Sequence, residues 1–312
     1  DGYFYAAHEA AQFADASRYA EMIRDIGGET KVFERDELAG RFGTDFYRRG
    51  LWIGGAGTGF LHGARFSKGL ADALPRQVER FEHTRALRIE SHPGGGSKVT
   101  TEAGSIDARK VIVGLNADLP AFGYRRLRVF PVGLTASLTR PLTPAEEQHI
   151  QHVEPWAVLS PVKGGATIRL TPDRRLLVRN TAEFRPEGIS EEQLAHRRKK
   201  HELALARRFP WLPANAIEFS WSGSICISRN GRFIFEELQP GVFAAACYNG
   251  TGVTRACLLG RLIAEHAAGE HSELIGMALA IEKPPLIPPA ALFRPLAALR
   301  FHFEHKKAHS ER

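Results

Sequence analysis

The sequence predicts a mixed α/β fold made of two interleaved domains. Strand candidates alternate with helix candidates near both ends of the 312-residue chain, which is typical of a layered α/β unit. Between them, residues 127–180 contain short strand candidates separated by turn residues, which favours a mainly antiparallel sheet. We therefore expect one layered α/β domain and one antiparallel domain, each assembled from separate stretches of chain.

The composition is that of a globular protein. The chain has 42 Lys and Arg residues against 35 Asp and Glu residues, a formal charge of +7, and 43% of its residues are apolar. No apolar run reaches the roughly 18 residues that a bilayer span needs. The densest basic cluster, Arg197 to Lys200, has no interleaved aromatic residues for base stacking, so we expect no nucleic-acid partner. Few cysteines and no signal-peptide pattern favour the cytoplasm.

The first part of the chain predicts two helices with a strand between them. Apolar residues recur every three or four positions over 8–26, and Gly27 and Gly28 provide a stop. Residues 51–53 form a short apolar strand, and a helix over 64–74 follows a glycine-rich loop.

Strand signals dominate the next stretch. Residues 81–89 and 98–102 are strand candidates around a His-Pro-Gly turn, and the β-branched run 110–114 predicts a buried strand. Further short strand candidates occupy 129–137, 157–161, 166–170 and 175–178.

A long helix separates these strands from the last strand candidates. Ser190 and Gln193 have capping-box spacing, which predicts a helix from there to Phe209. Residues 217–227 and 241–248 are strand candidates, and the second leads through a glycine loop into a helix over 253–268. The remainder of the chain is Pro-rich and then basic, and we expect it to be peripheral.

Two glycine loops are candidates for phosphate binding. The first, Gly54–Gly59, lacks the Gly-x-Gly-x-x-Gly spacing, because Phe60 and His62 stand where the third glycine is required, so a structural turn is favoured. The second, Asn249–Gly252, joins a strand to a helix, and the positive end of a helix dipole favours negative charge. The residues alone leave a tight turn and a ligand site both open there.

Other chemistries have weaker signals. The chain contains no Gly-x-Ser-x-Gly nucleophile elbow, and no pair of carboxylates is suited to glycoside hydrolysis. His302, His305 and His309 have metal-ligand spacing but lie in the basic end segment, so we expect no metal site. Catalytic side chains are therefore unknown from the residues alone.

Several stretches resemble one protein family. They are Trp221–Gly223, Ser228–Asn230, Gly241–Val253 and Gly260–Glu265, with weaker support from Leu61-His62, Thr84–Ile89 and Val111–Ala117. Together they resemble the D-amino-acid-oxidase type of FAD-dependent oxidoreductases, and most closely the gamma-glutamylputrescine oxidase-like amine oxidoreductases. Cys247 stands where that family has the first glycine of its C-terminal loop.

The resemblance implies a fold. The family opens with a strand, a Gly-x-Gly-x-x-Gly loop and a helix, whereas Asp1 corresponds to a point after that unit. We therefore expect an FAD/NAD(P)-binding-type layered α/β domain lacking its first βαβ unit, interleaved with a mainly antiparallel substrate-domain sheet. The expected ranges are a cap or substrate-domain part at 1–50, FAD-binding parts at 51–126 and 217–270, the antiparallel substrate domain at 127–216, and a peripheral tail at 271–312.

The resemblance also implies a cofactor site. The cofactor would be FAD, and the residues that match the family pattern are Ala86, Asn116, Asn249, Gly250, Thr251, Gly252, Val253 and Thr254. Weaker assignments to the substrate side are Trp52, His62, Trp221 and Tyr248.

The implied reaction is the oxidation of a carbon–nitrogen bond of an amine or amino acid, by hydride transfer to the flavin. The electron acceptor would be oxygen or a respiratory carrier. Two alternatives stay open: a truncated, inactive fragment of such an enzyme, and a basic interaction protein on the same scaffold.

Overall fold

The structure is a computed structural model that describes residues 2–13, 16–55, 58–59 and 61–311. Its strands are β1 Tyr3–Ala7, β2 Glu29–Glu34, β3 Arg49–Gly54, β4 Ala86–Ser91, β5 Ser97–Thr101, β6 Ser105–Ala108, β7 Val111–Val113, β8 Val129–Thr139, β9 Trp156–Leu159, β10 Thr167–Leu170, β11 Leu176–Glu183, β12 Ile217–Ser228, β13 Ile234–Gln239 and β14 Val242–Ala246. Its α-helices are α1 Ala16–Asp25, α2 Arg35–Phe42, α3 Gly63–Asp72, α4 Pro144–Glu147, α5 Glu191–Arg208, α6 Gly252–Ala268, α7 Glu273–Leu279 and α8 Ala290–Lys307. Short 3-10 helices occupy Ala10–Phe13, Asn116–Phe122, Ala214–Ala216 and His309–Glu311.

The chain forms two compact units from alternating stretches. Unit 1 comprises Asp1–Leu61, Gly133–Gly223 and Arg294–Arg312, and unit 2 comprises His62–Val132 and Ser224–Phe293. The predicted mixed α/β fold is confirmed, since helices and multistranded sheets occur together. The division of the predicted ranges into cofactor-binding and substrate domains stays a prediction.

Unit 1 is built on an eight-stranded sheet in the order β12-β8-β11-β10-β9-β1-β3-β2. Its strand pairs are antiparallel wherever their register is resolved, except that β1 runs parallel to β9. Side chains alternate between the two faces of each strand, so Ile168 and Leu170 enter the core and the Arg169 between them points to the other face. Removing each large aliphatic side chain from water stabilises the unit by about 1.5–3 kcal/mol.

Helix α5 covers the core face of this sheet. The predicted capping box is present: the Gln193 N–H donates to Ser190 Oγ, and the Ser190 N–H donates to Gln193 Oε1, both at 3.3 Å. Leu205 packs in the same core as Ile168. The helix ends at Arg208, because Pro210 cannot continue the ladder of backbone hydrogen bonds.

Unit 2 contains two three-stranded sheets, β13-β14-β7 and β4-β5-β6. Strand β14 is central in the first, and all five of its residues are buried. Phe243 and Ala245 pack with Leu259 and Ile263 of α6. The alternate residues of β14 pack on the opposite side with Val113 and Cys226.

The structure corrects several sequence-based boundaries. Residues 8–26 are not one helix: Ala10–Phe13 is a 3-10 helix, α1 begins at Ala16, and residues 14 and 15 lie outside the described part of the chain. The strand predicted over 81–89 begins only at Ala86. The predicted buried strand at 110–114 lies at a sheet edge, and Ile112 is 48% exposed, because a run of β-branched residues does not say how many strands flank it.

The end segment 271–312 contains α7 and α8. Glu311 is fully buried in unit 1. The His8 N–H donates to its carboxylate, and Arg208 Nη2 donates to its carbonyl oxygen at 2.6 Å. The last described residues are thus part of the core of unit 1. None of the helices within the described ranges combines the length and the apolar character that crossing a bilayer requires.

Glu146 gives unit 1 a testable dependence on pH. Arg140 donates two hydrogen bonds of 2.7 Å to its carboxylate, and the Thr143 N–H donates a third. These bonds, chiefly those from Arg140, lower the pKa of Glu146 from 4.5 to about 2. Because the folded-state pKa is depressed, the stabilisation is complete above about pH 4.5 and is lost as the pH falls towards 2.

We expect Glu146→Gln to lower the free energy of unfolding by about 1.5–3 kcal/mol at neutral pH, the value of hydrogen bonds to a charged group. The deficit should shrink as urea unfolding is repeated at pH values approaching 2. Glu21→Gln, at an exposed position, is the matched control and should show no such trend. A deficit for Glu146→Gln that stays constant over this range would contradict the assignment.

Candidate functional site

Two parallel strands of unit 2 end at the same edge of their sheet. β14 pairs with β7 in parallel, with Val242 opposite Val111 and Ala244 opposite Val113. In open α/β sheets, ligands bind beyond the carboxyl ends of parallel strands. The two segments that leave this edge are the 3-10 helix Asn116–Phe122 and the loop before α6.

The side chain of Asn116 joins the two strand ends. Its Oδ1 accepts a hydrogen bond of 3.0 Å from the Cys247 N–H. Both residues have left-handed backbone conformations, with φ of 44° at Asn116 and 61° at Cys247, which non-glycine residues rarely adopt. Asn116 therefore has a structural partner within unit 2, and its contact with a cofactor stays a prediction.

Asn249 fixes the loop that follows β14. Its Oδ1 accepts from the Ser228 N–H at 2.9 Å, and its Nδ2 donates to the carbonyl oxygens of Cys247 at 2.8 Å and Arg232 at 3.1 Å. Its own N–H donates to the Cys226 carbonyl at 3.1 Å. Because its side-chain amide is engaged in this way, Asn249 holds the loop in shape and does not present that amide group to a ligand.

The N-terminus of α6 has free backbone donors. Thr251 occupies the N-cap position but makes no side-chain cap, because its Oγ1 donates to the Tyr248 carbonyl at 2.9 Å. Among the described residues, nothing accepts the N–H groups of Gly252, Val253 and Thr254. These groups and the helix dipole form a partial positive charge at the start of a 17-residue helix.

The two glycines of this loop leave space above the helix end. A Cβ added to Gly250 would meet only Ile225 Cδ1 at 3.8 Å, and one added to Gly252 only Tyr248 Cδ2 at 4.0 Å. Gly250 has a φ of 85°, so its backbone itself favours glycine. Gly252 has neither a positive φ nor a crowded Cβ position, so the fold alone gives no reason for glycine there.

Three side chains at this edge were not among the predicted site residues. The neighbouring Cys247 thiol, together with burial, raises the pKa of Cys226. Arg255 Nη1 donates to the Tyr248 carbonyl at 3.2 Å and adds a cation to the first turn of α6. Arg255 could have been predicted from the sequence, since it lies one helical turn beyond Gly252. The two cysteines could not, because they are 21 residues apart and no local pattern links them.

The other predicted positions lie apart from the α6 loop or outside the described part of the chain. Ala86 begins β4 opposite Thr101, and β4 contacts the 3-10 helix that starts at Asn116. Of the glycine loop Gly54–Gly59, residues 56 and 57 lie outside the described residues. Within the described ranges, no group of His, Cys, Asp and Glu side chains is arranged to hold a metal ion.

Residues 1–266 match the family model DAO, described as FAD dependent oxidoreductase. The chain belongs to this family. The match covers both units, including the loop before α6 and most of α6 itself.

Relatives in the FAD-dependent oxidoreductase family cover most of this chain. A probable oxidoreductase OrdL from Rhizobium meliloti is 28% identical over 287 residues, which is 88% of this chain and 62% of the relative. The OrdL protein from Haemophilus influenzae is 26% identical over 258 residues, which is 78% of this chain and 55% of the relative. The chain thus spans about three fifths of the length of the curated relatives that it matches.

A solved structure gives the same fold. The glycine oxidase from Geobacillus kaustophilus superposes with a TM-score of 0.69 over 90% of this chain and 75% of that protein, at 21% sequence identity. The likeness establishes that the chain shares the fold of this protein.

Three of the four side chains assigned to the substrate side have structural contacts. Trp52 and Trp221 belong to unit 1, and His62 and Tyr248 to unit 2. His62 caps α3, its Nδ1 accepting from the Arg65 N–H at 3.3 Å, and the Tyr248 hydroxyl donates to the Ala245 carbonyl at 2.8 Å. The Trp52 indole packs against the core of unit 1, while Trp221 is 43% exposed. Their contact with a substrate stays a prediction.

We expect Asn116→Ala to destabilise the chain by about 1–3 kcal/mol, because it leaves the buried Cys247 N–H without an acceptor. Asn116→Asp retains the oxygen and should lose less. Urea unfolding checks both variants, with Asn215→Ala as the control, because Asn215 is exposed. Equal losses for the two alanine variants would show that the link between the strand ends contributes nothing.

Proposed function

We propose that this chain acts in an FAD-dependent oxidoreductase that oxidises a carbon–nitrogen bond of an amine or amino acid. The observation that carries the proposal is the uncapped N-terminus of α6, whose free N–H groups follow a glycine loop at the carboxyl ends of β7 and β14. Membership of the FAD dependent oxidoreductase family supports it.

The residues at this edge fit the cofactor. FAD carries a pyrophosphate, and its isoalloxazine ring gains negative charge on reduction; both are anionic groups that helix N-termini stabilise. The open space above Gly250 and Gly252 allows a ligand to approach the backbone closely. Asn249 through Thr254 would hold the flavin, and Ala86 and Asn116 would lie by the adenosine half.

When bound, FAD supplies the two-electron oxidation of the C–H bond beside the amine nitrogen. The residues of this chain contribute electrostatics and positioning. The N–H groups of Gly252, Val253 and Thr254 would stabilise negative charge beside them without reorganising, because Asn249 fixes the loop through its hydrogen bonds. Arg255 adds a fixed positive charge one turn further along α6.

The choice of amines and amino acids as substrates rests on the relatives. The glycine oxidase that shares the fold is named for an amino acid, and the OrdL relatives are described only as probable oxidoreductases. The low identity to the glycine oxidase leaves the identity of the amine to a substrate screen.

A flavin titration tests the site. Added FAD should bind to the unaltered chain saturably, with quenching of flavin fluorescence. Gly252→Val should weaken binding by at least about tenfold, because its side chain enters the space above the free N–H groups. The fold has room for this side chain, so the thermal midpoint should stay close to that of the unaltered chain.

Gly260→Val is the matched control for this titration. Gly260 lies on the exposed side of the same helix and also has open space at its Cβ position. It should bind FAD like the unaltered chain. Equal FAD affinity in the two valine variants would remove the α6 loop from the site, and the absence of saturable binding to the unaltered chain would contradict the proposal.

A further inference from the structure

Helix α8 carries an apolar stripe on the side that faces solvent. Leu296, Leu299 and Phe303 follow one another at intervals of three and four residues, so they lie along one face of the helix. They are 59%, 53% and 53% exposed. Single exposed apolar side chains are common on protein surfaces, whereas a contiguous row of large ones marks an interaction site. We call these three residues the α8 stripe.

The opposite side of α8 is packed against unit 1. Ala297 and Ala308, which directly follows the helix, lie three turns apart on that side, and both are buried. His305 lies beside the chain of unit 1, since a Cβ added to Gly164 would meet its Cδ2 at 3.1 Å. Unit 1 thus holds α8 in place as a formed helix, and the α8 stripe faces outward before any partner binds.

Basic side chains flank the α8 stripe on both sides. Successive residues of a helix are rotated by about 100°, which places Arg300 and Lys307 on one side of the stripe and Lys306 on the other. Within the described part of the chain, no carboxylate lies within 4.0 Å of Lys306 or Lys307. The only carboxylate in the sequence of α8 belongs to Glu304, which is 22% exposed and accepts from Arg300 Nε at 3.1 Å. The exposed face of the helix is therefore apolar along its centre and cationic along its borders.

The adjoining surface of α5 has the same character. Lys200 and Leu203 of α5 line a cleft of about 260 Å³ together with His305 of α8 and His309. The Leu203 side chain is exposed. Apolar and basic side chains thus continue from α8 onto a second helix of unit 1.

We propose that the α8 stripe docks on the surface of an anionic lipid bilayer. Leu296, Leu299 and Phe303 would enter the boundary of the acyl chains, and the flanking cations would meet the lipid phosphates. A helix that lies in a bilayer interface combines an apolar face with Lys and Arg residues, and its affinity rises with buried apolar area and with charge. The residues that carry the inference all belong to unit 1, so it does not depend on the cofactor site proposed in unit 2.

The charges favour a bilayer over a second copy of the chain. Two copies packed through the α8 stripe would bring Arg300, Lys306 and Lys307 of one near the same cations of the other, and α8 offers no free carboxylate to compensate them. Three half-exposed side chains also supply far less than the ~800 Å² per partner that a stable dimer buries. An anionic bilayer provides both an apolar layer and a dense row of negative charge.

Flotation with unilamellar vesicles tests the docking surface. The full chain should bind vesicles of equal parts phosphatidylglycerol and phosphatidylcholine at least about tenfold more tightly than vesicles of phosphatidylcholine alone. Added salt should weaken the binding, because it screens the attraction between the cations and the lipid phosphates.

The apolar contribution is tested by Leu299→Gln combined with Phe303→Gln. This double variant should bind the anionic vesicles at least about tenfold more weakly, because it removes two apolar side chains from the stripe. Leu274→Gln combined with Met277→Gln is the matched control, since these residues of α7 are 53% and 61% exposed. The control should bind like the unaltered chain.

The electrostatic contribution is tested by Lys306→Gln combined with Lys307→Gln. Binding to the anionic vesicles should fall by at least about tenfold, and its dependence on salt should become shallower. Arg18→Gln combined with Arg24→Gln removes the same charge at exposed positions of α1 and should leave binding unchanged.

Thermal unfolding and light scattering distinguish the alternatives. All these side chains are exposed, so the thermal midpoints should match that of the unaltered chain, and Phe303→Leu, which keeps an apolar side chain, should retain vesicle binding. Equal binding to neutral and anionic vesicles, or unchanged binding of the Leu299 and Phe303 double variant, would overturn the proposal. A dimer in solution that this double variant dissociates would assign the stripe to a second copy of the chain instead.

Discussion

The alternation of side chains along a strand governs where function can lie in this protein. In β10, Ile168 and Leu170 enter the core of unit 1, so the geometry of the strand forces Arg169 to the opposite face. The hydrophobic core thus fixes the register of the sheet, and the register determines which polar side chains share a face. Arg169 and Arg179 come together because Ile168 and Val178, each one position away, are both fully buried.

Unit 2 depends on a different constraint, the parallel pairing of β7 with β14. This pairing brings the ends of the two strands together, so that Asn116 and Cys247, 131 residues apart in sequence, form a hydrogen bond. Parallel pairing also places the loop before α6 at the edge where backbone donors are free. Cys226 and Ser228, at the end of β12, then fix the loop through their hydrogen bonds with Asn249. The conformation of the loop is therefore set by unit 2 itself before any ligand is considered.

Local signals in the sequence predicted the elements that are stabilised locally. The capping box at Ser190 and Gln193 predicted α5, and the apolar run before Asn249 predicted β14. Strand β2, in contrast, has only one fully buried residue, Phe33, so it lacks the alternation that sequence reasoning depends on. Strand β13 was missed because its partner is β14 and its own residues carry no turn or cap signal.

The candidate site in unit 2 was predictable only through family resemblance, because a glycine loop between a strand and a helix fits a plain turn equally well. The structure adds the physical difference between its two glycines: the backbone of Gly250 itself favours glycine, and that of Gly252 does not. The meeting of Arg169 and Arg179 on one face had no sequence signal, since strand pairing brings together residues distant along the chain.

The structure shows where part of the scattered positive charge of the sequence lies. In the sequence, a formal charge of +7 without a basic stripe did not predict a nucleic-acid surface. Part of that charge is placed where it is half-buried with no carboxylate partner among the described residues, as at Arg169 and Arg179, or beside free backbone donors, as at Arg255. A fold tolerates such charges at a cost in stability, and a bound anion offsets that cost. The N-terminus of α6 therefore favours a ligand with negative charge, as the proposed FAD has.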